Sequence, residues 1–207
     1  MAKIDRTARM EVLTAFDRGF REGGLVVAGM DEAGRGPLVG PVAAACVVMP
    51  PDSALLWVDD SKKLSETRRE QLYDQIMAEA LQVGVGLADA AEIDAINILQ
   101  ATKNAMRRAA AQVRADVFLI DAVKDLGLRG REVPIVKGDA TSYGIAAASI
   151  IAKVTRDRLL LELDRQYPGY GFARNKGYGT AEHIAALKAL GPCPQHRRSF
   201  IGHFVAL

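Results

Sequence analysis

The sequence holds only two cysteines, Cys46 and Cys193, far apart and outside any metal-ligand spacing. That scarcity excludes a disulfide-stapled scaffold and a cysteine-rich zinc module, and the expectation is a reduced, cytoplasmic protein. Apolar runs of membrane-spanning length are missing too. The longest charge-free stretch, 36–51, has 16 residues and carries Pro37, Pro41, Pro50 and Pro51, so it is no spanning helix. The first twenty residues are charged throughout and lack the apolar core of a signal peptide. No internal repeat or low-complexity tract is present. A strong charge of one sign is also absent: 27 basic residues against 25 acidic ones leave +2, which by itself says little about partners.

What is present is ordinary globular composition. The chain has 207 residues, 49% of them hydrophobic and 25% charged, which fits one domain with at most a small annex and a core that needs no staples. The charge is unevenly spread. From 166 to 207 there are Arg174, Lys176, Lys188, Arg197 and Arg198 against Glu182 alone, and all three histidines (His183, His196, His203) fall there with Tyr167, Tyr170, Phe172, Tyr178 and Phe200. A basic, aromatic C-terminal fifth suits phosphate or nucleic-acid contact, and it equally suits a solvated surface.

Apolar spacing and start signals predict helices over 6–21, 65–81, 91–114, 142–167 and 183–190. Short apolar runs bounded by Gly and Pro predict strands over 25–31, 41–49, 82–88, 117–121 and 133–136. Three strands close together in sequence can form an antiparallel meander. The later ones need crossover helices and are expected to be parallel. The fold class is therefore α/β, a mixed sheet flanked by helices with a C-terminal helical appendage.

The chemistry-bearing pattern is a set of carboxylates after apolar runs: LVVAGM precedes Asp31, DVFLI precedes Asp121, PIVKG precedes Asp139, and Glu32 follows Asp31 directly. Strand ends are where open sheets present ligands. Carboxylates gathered there repel one another unless a hard divalent cation neutralises them. Two such ions ~3.5–4 Å apart would clamp the attacking and leaving oxygens of a phosphodiester. Each acid taken alone also reads as a turn former. Adjacent strand residues face opposite ways, so Asp31 and Glu32 share a site only if the strand bends or ends there.

Three further segments are candidates. In Gly34–Arg35–Gly36 the glycines allow close approach to a ligand and the guanidinium can reach phosphate, or the segment is only a turn. Ser61 is a candidate cap, and Lys62 and Lys63 can hold a phosphate backbone or simply be solvated. Tyr178, between two glycines, can stack on a sugar or base or sit idle in a surface turn.

Taken together, GMDEAGRGPLVGPV (29–42), DSKKLSE (60–66), LIDA (119–122), KGDATSYGIAAASIIAKVTRDR (137–158), NKGYGTAEHIAAL (175–187) and HRRSF (196–200) resemble ribonuclease HII. The resemblance runs from about residue 25 to 200, with six motifs in order. It implies a ribonuclease H-like fold divided as 1–24 N-terminal helix, 25–167 catalytic domain and 168–207 C-terminal helical substrate-binding region. It implies an Asp31, Glu32, Asp121, Asp139 set that binds Mg²⁺ or Mn²⁺ and performs the catalysis. It further implies cleavage of the RNA strand of RNA–DNA hybrids and cleavage 5′ to single ribonucleotides embedded in duplex DNA, by a monomer. The Gly34–Arg35–Gly36 loop would sense the 2′-hydroxyl, and Tyr178 would stack on the next, deoxy sugar. Ser61, Lys62 and Lys63 complete the expected substrate-binding set. Two departures from the family pattern stand out: Gly202 where a proline is common, and a longer, more charged 123–132 loop. Ribonuclease HIII usually carries an extra N-terminal domain and lacks the arginine in its glycine loop, whereas about 24 residues precede the first strand here and Arg35 is present.

Overall fold

Residues 42–48 are apolar at every position, and every one of them is buried. A strand covered on one face alternates; a strand covered on both does not. β2 (Val42–Val48) is of the second kind. Ala44, Cys46 and Val48 enter one core cluster, and Ala45 and Val47 enter the cluster on the opposite face. The computed structural model describes residues 5–206; residues 1–4 and 207 of the expected terminal segments lie outside the described residues.

Around β2 the sheet is completed by β1 (Val27–Ala33), β3 (Gln82–Ala88), β4 (Val117–Asp121) and β5 (Arg131–Ile135), in the order β3-β2-β1-β4-β5. β3, β2 and β1 run antiparallel, whereas β4 and β5 run parallel to β1. The mixed sheet is thus the one expected from the spacing of the strands.

Helices α1 (Arg6–Arg18), α2 (Glu66–Glu79) and α5 (Tyr143–Gln166) cover one face, and α3 (Ala90–Ile96) and α4 (Ile98–Ala110) the other. The small first half of α5 has the role its composition suggests. Ala146, Ala147 and Ala148 are fully buried, and a Cβ on Gly29 of β1 would collide with the backbone of Gly144 and Ile145. Glycine at 29 is required for this close approach.

Some boundaries differ from the sequence reading. The helix expected over 91–114 is two helices, broken at Asn97 (φ 70°), whose side chain accepts the N–H of Gln100 to start α4. Asn caps helices well and tolerates positive φ, so a continuous apolar period hid a break. The first helix stops at Arg18 rather than 21, and β5 begins at Arg131, which draws two residues out of the 123–132 loop. β5 is an edge strand, where Pro134 is tolerated.

The C-terminal part forms α6 (Phe172–Asn175), α7 (Ala181–Leu190) and α8 (Arg198–Ile201). It is stitched to residues 38–40 by Leu38 N–H to Gly177 O, Gly40 N–H to Gln195 O and Arg197 N–H to Leu38 O. Val39, Leu160, Tyr170 and Phe172 form the core of the joint. Among the described residues no helix is long and apolar enough to cross a membrane.

One buried acid ties α1 to α5. Asp17 accepts the Gly144 N–H at 2.7 Å, and its other oxygen is buried without a partner. Burial pushes its carboxyl up to about 6, against the lowering effects of the Ser142 and Gly144 hydrogen bonds and of Arg21. A carboxyl raised in the folded state destabilises the fold when charged, so the penalty is full above pH ~6 and vanishes below the unfolded value near 4. Asp17→Asn retains an acceptor for Gly144. It is expected to gain up to about 3 kcal/mol above pH ~6 and nothing at pH ~4. Urea denaturation at the two pH values measures this; an equal effect at both would refute it.

Candidate active site

β1, β4 and β5 are parallel, so their C-terminal ends lie at one edge of the sheet. The ladder between β1 and β4 stops at Met30↔Ile120. The next residue on each strand is an acid, Asp31 and Asp121. β1 continues alongside β2 as far as Ala33, so Asp31 and Glu32 lie within the strand, past the point where β4 leaves it. The strand was expected to end or bend there; what happens is the loss of one neighbour. Asp139 was expected at the end of a strand run, but it sits in a single 3-10 turn, Gly138–Ala140. That turn is fixed to the site because Gly138 N–H donates to Asp121 Oδ1 at 2.7 Å.

Asp31, Asp121 and Asp139 each present a carboxylate oxygen, and the three oxygens lie within 4.8 Å of one another. Glu32 stands outside this trio. Its Oε1 faces Arg35 Nη1 at 3.5 Å, and its Oε2 is buried with no partner. Electrostatics register the crowding. Burial first, then the charges of Glu32, Asp121 and Asp139, hold the Asp31 carboxyl well above the usual range. Glu32 is raised by burial and by Asp121, with Arg35 opposing. Asp139 is raised by burial, then by Asp60 and Asp121, with Lys62 opposing. Buried acids that destabilise one another are a setting that a hard cation relieves. Oxygen donors and an unpartnered Glu32 oxygen fit Mg²⁺ or Mn²⁺.

The other candidates lie around this edge. Lys62 Nζ is 3.5 Å from Asp139 Oδ2, and Lys63 lies 3.7 Å from Asp60. Both side chains are exposed. Ser61 is buried, its carbonyl accepts Arg69, and it caps nothing: Asp60 caps the 3-10 turn Ser61–Lys63, and Ser65 caps α2. The Gly34–Arg35–Gly36 loop leads directly out of β1. Tyr178 is 47% exposed, and its ring lies 3.7 Å from where a Cβ on Gly36 would be. The sugar-stacking candidate therefore borders the glycine loop, although 142 residues separate them in sequence.

A buried histidine pair supports the Tyr178 turn. The Tyr178 carbonyl can only accept, so His183 Nδ1 donates to it at 2.8 Å, leaving His183 Nε2 as acceptor from His196 Nε2 at 3.1 Å. His196 Nδ1 then accepts the Cys193 N–H at 3.0 Å. The chain closes only with both rings neutral. Burial, and then His183, push His196 down to about 4, and burial also lowers His183.

Sequence reasoning passed over Asp60, named only as the start of DSKKLSE, and the buried Arg156 and Arg197, counted only as motif members or surface charge. Nothing in a sequence marks a cation as buried. A separate cavity of about 670 Å³, lined by Val26, Arg114, Phe118 and Leu128, lies near the opposite, N-terminal ends of β1 and β4.

Comparison with known proteins identifies the family and the fold. The family model for ribonuclease HII matches residues 28–203. A curated ribonuclease HII of Ruminiclostridium cellulolyticum is 52% identical over 200 residues, covering 95% of this chain and 78% of that protein. A solved complex of PCNA with RNase HII from Archaeoglobus fulgidus aligns at TM-score 0.72 and 27% identity, over 85% of this chain and 94% of the other. A structure of Bst-RNase HIII in complex with Mn²⁺ shares the fold at TM-score 0.65 and 20% identity, over 92% of this chain and 67% of that one. By sequence and by fold, this chain belongs to the ribonuclease HII family and is an RNA–DNA hybrid endonuclease.

Proposed function

We propose that this endonuclease, acting as a single chain, also cuts 5′ to single ribonucleotides embedded in duplex DNA, and that every cut leaves 5′-phosphate and 3′-hydroxyl ends. The observation that carries this reading is the oxygen cluster of Asp31, Asp121 and Asp139 at the mouth of the Gly34–Arg35–Gly36 loop, with Tyr178 beside Gly36. One chain contributes all of these groups.

Asp31, Glu32, Asp121 and Asp139 would hold Mg²⁺ or Mn²⁺. When bound, two such ions would neutralise the carboxylates and supply Lewis-acid stabilisation to the attacking and leaving oxygens of the phosphodiester. The chain's own residues bind and orient. Lys62 and Lys63, on a segment anchored by the buried Ser61, are placed to meet backbone phosphates. Arg35, held toward Glu32, lies where the strand would enter. The glycine loop approaches the ribose, whose 2′-hydroxyl is the local group that tells RNA from DNA. The C-terminal 168–207 region supplies Tyr178 for the sugar of the following nucleotide.

Both cysteines sit outside the acid motifs, and no histidine lies near the acids in sequence. Cys46 and Cys193 are buried, and burial holds the Cys46 thiol up at about 12. Water therefore attacks: its oxygen bonds to phosphorus while the bond from phosphorus to O3′ breaks, and a proton ends on the departing 3′-oxygen. Mapping product ends on a duplex with one ribonucleotide tests this. A 5′-phosphate and a 3′-hydroxyl are expected, and a 2′,3′-cyclic phosphate as main product would show attack by the 2′-hydroxyl and overturn the reading.

A further inference from the structure

Arg197 is fully buried, and it satisfies itself without any salt bridge to a described residue. Nε and Nη2 donate to Gly40 O at 3.0 and 2.8 Å. Nη1 donates to Arg35 O at 2.9 Å and to Pro37 O at 2.8 Å, and Nη2 to Gly34 O at 2.7 Å. An arginine has five side-chain N–H groups; here all five end on main-chain carbonyls of residues 34–40. Burying a guanidinium is costly unless its donors are met; two of the five bonds go to Gly34 and Arg35 of the glycine loop, and the other three to Pro37 and Gly40 just beyond it.

Arg156, also buried, makes the adjoining set: Val39 O at 3.0 Å, Pro41 O at 3.0 Å and Lys176 O at 2.9 Å. It thereby joins residues 39–41, just beyond the loop, to the turn that carries Tyr178. Gly34, at φ 97°, is the residue that lets it pass, because a Cβ there would collide with the Arg156 side chain.

The direction of the carbonyls fixes the direction of the amides. A trans peptide unit is planar, with its C=O and the following N–H pointing opposite ways. The Gly34 and Arg35 carbonyls are drawn to Arg197, so the N–H groups of Arg35 and Gly36 face away from it. Both residues are exposed, and neither N–H has a partner among the described residues. Two adjacent unpaired donors are thus held in a loop whose Arg35 side chain faces Glu32 and whose Gly36 borders the Tyr178 ring.

We propose that Arg197 is a positioning residue for ribose recognition: its buried fork holds the loop carbonyls inward so that the Arg35 and Gly36 N–H groups point at the substrate 2′-oxygen, while Arg156 fixes the residues just beyond that loop against the Tyr178 turn. The inference rests on the reading above in which the loop recognises the 2′-hydroxyl.

Three measurements test it. In the wild-type chain with EDTA, amide exchange at Arg35 and Gly36 is expected to slow roughly tenfold more with a duplex carrying one ribonucleotide than with the all-DNA duplex of the same sequence, the effect of about one net hydrogen bond. Equal protection by the two duplexes would overturn the proposal. Arg197→Lys keeps the charge and loses the fork. Its preference for the ribonucleotide duplex over all-DNA, as a ratio of Kd values below its own Tm, is expected to fall roughly tenfold with all-DNA binding retained. An arginine that only stabilised the fold would lower Tm and leave that ratio intact, and a folded Arg197→Lys with an intact ratio sinks the idea. Should Arg197→Lys not fold, the same Kd ratio is read on Arg156→Lys, where a fall supports the proposal and an intact ratio in the folded variant overturns it. Gly36→Ala separates the two levels. A methyl there meets only the Tyr178 ring, at 3.7 Å, and obstructs the exposed side of the loop. An unchanged ratio in Gly36→Ala removes the loop as reader. A lost ratio in Gly36→Ala beside an intact one in Arg197→Lys removes Arg197 alone.

Discussion

Asp31→Asn and Asp121→Asn are each expected to abolish cleavage of an RNA–DNA hybrid while leaving the chain folded, and Asp31→Asn is expected, in EDTA, to be more stable than wild type. The loss of activity follows from the oxygen cluster: removing one charge from three carboxylates within 4.8 Å of one another weakens the hold on a divalent cation by more than it disturbs packing. At least three decades in kcat/KM are expected, or ~4 kcal/mol. The gain in stability has the same origin. Asp31 is buried, and its neighbours Glu32, Asp121 and Asp139 all act against its charge, so a neutral amide relieves repulsion that no cation offsets in EDTA. The amide also keeps the local hydrogen bonds, since an Asn oxygen can still accept from Glu32 N–H at position 31 and from Gly138 N–H at position 121. About 1 kcal/mol of relief would raise Tm by roughly 2–4 °C in a chain of this size. Calorimetry in EDTA together with a cleavage assay in Mg²⁺ checks both halves. Full activity in either variant removes that residue from the site, and a fall in Tm for Asp31→Asn would mean its role is structural.

Tyr178→Ala is expected to lose one to two decades of kcat/KM on a single embedded ribonucleotide, and less on a continuous hybrid. The ring is 47% exposed and borders Gly36, while its own carbonyl is anchored by His183. The turn should therefore survive the loss of the ring. Stacking on an aromatic is worth ~1–3 kcal/mol, and ~1.4 kcal/mol corresponds to one decade. On the proposed reading the neighbouring loop recognises the 2′-hydroxyl, so cleavage of a continuous hybrid should stay RNA-specific. Tyr178→Phe should lose less than Tyr178→Ala, because the ring face supplies most of the contact. Comparing the variants on both substrates decides the matter: equal losses on the two, or none on the embedded ribonucleotide, would make Tyr178 a turn residue only.

Much of the architecture was legible because it is written in short-range chemistry. The uninterrupted apolar run of β2 announces a strand buried on both faces. Ser65 before Glu66 marks the start of α2, and the alanines of α5 announce close approach to a sheet. Local signals failed where two elements shared one period or where a turn replaced a strand end. Asn97 breaks a helix inside a continuous amphipathic pattern, and Asp139 reaches its place on a 3-10 turn that no apolar run predicts.

The candidate site divides along the same line. Residue type and order brought forward Asp31, Glu32, Asp121, Asp139, the glycine loop and Tyr178 as candidates, each with a plain turn reading beside it, and only the six motifs in order, through their family resemblance, tied them to one site. Which of them meet was decided by the tertiary structure. The β1–β4 ladder ends one residue before both acids, so three carboxylates converge, while the side chain of Glu32 turns to Arg35. Arg197 illustrates the limit from the other side. In the sequence it is one more positive charge in a basic C-terminal segment, and only the packing of α8 against residues 34–40 buries it and turns its five donors onto carbonyls 157 to 163 residues away. Covalent order determines which groups the chain carries. Burial and direction, which set what those groups can do, arise from contacts between residues far apart in that order.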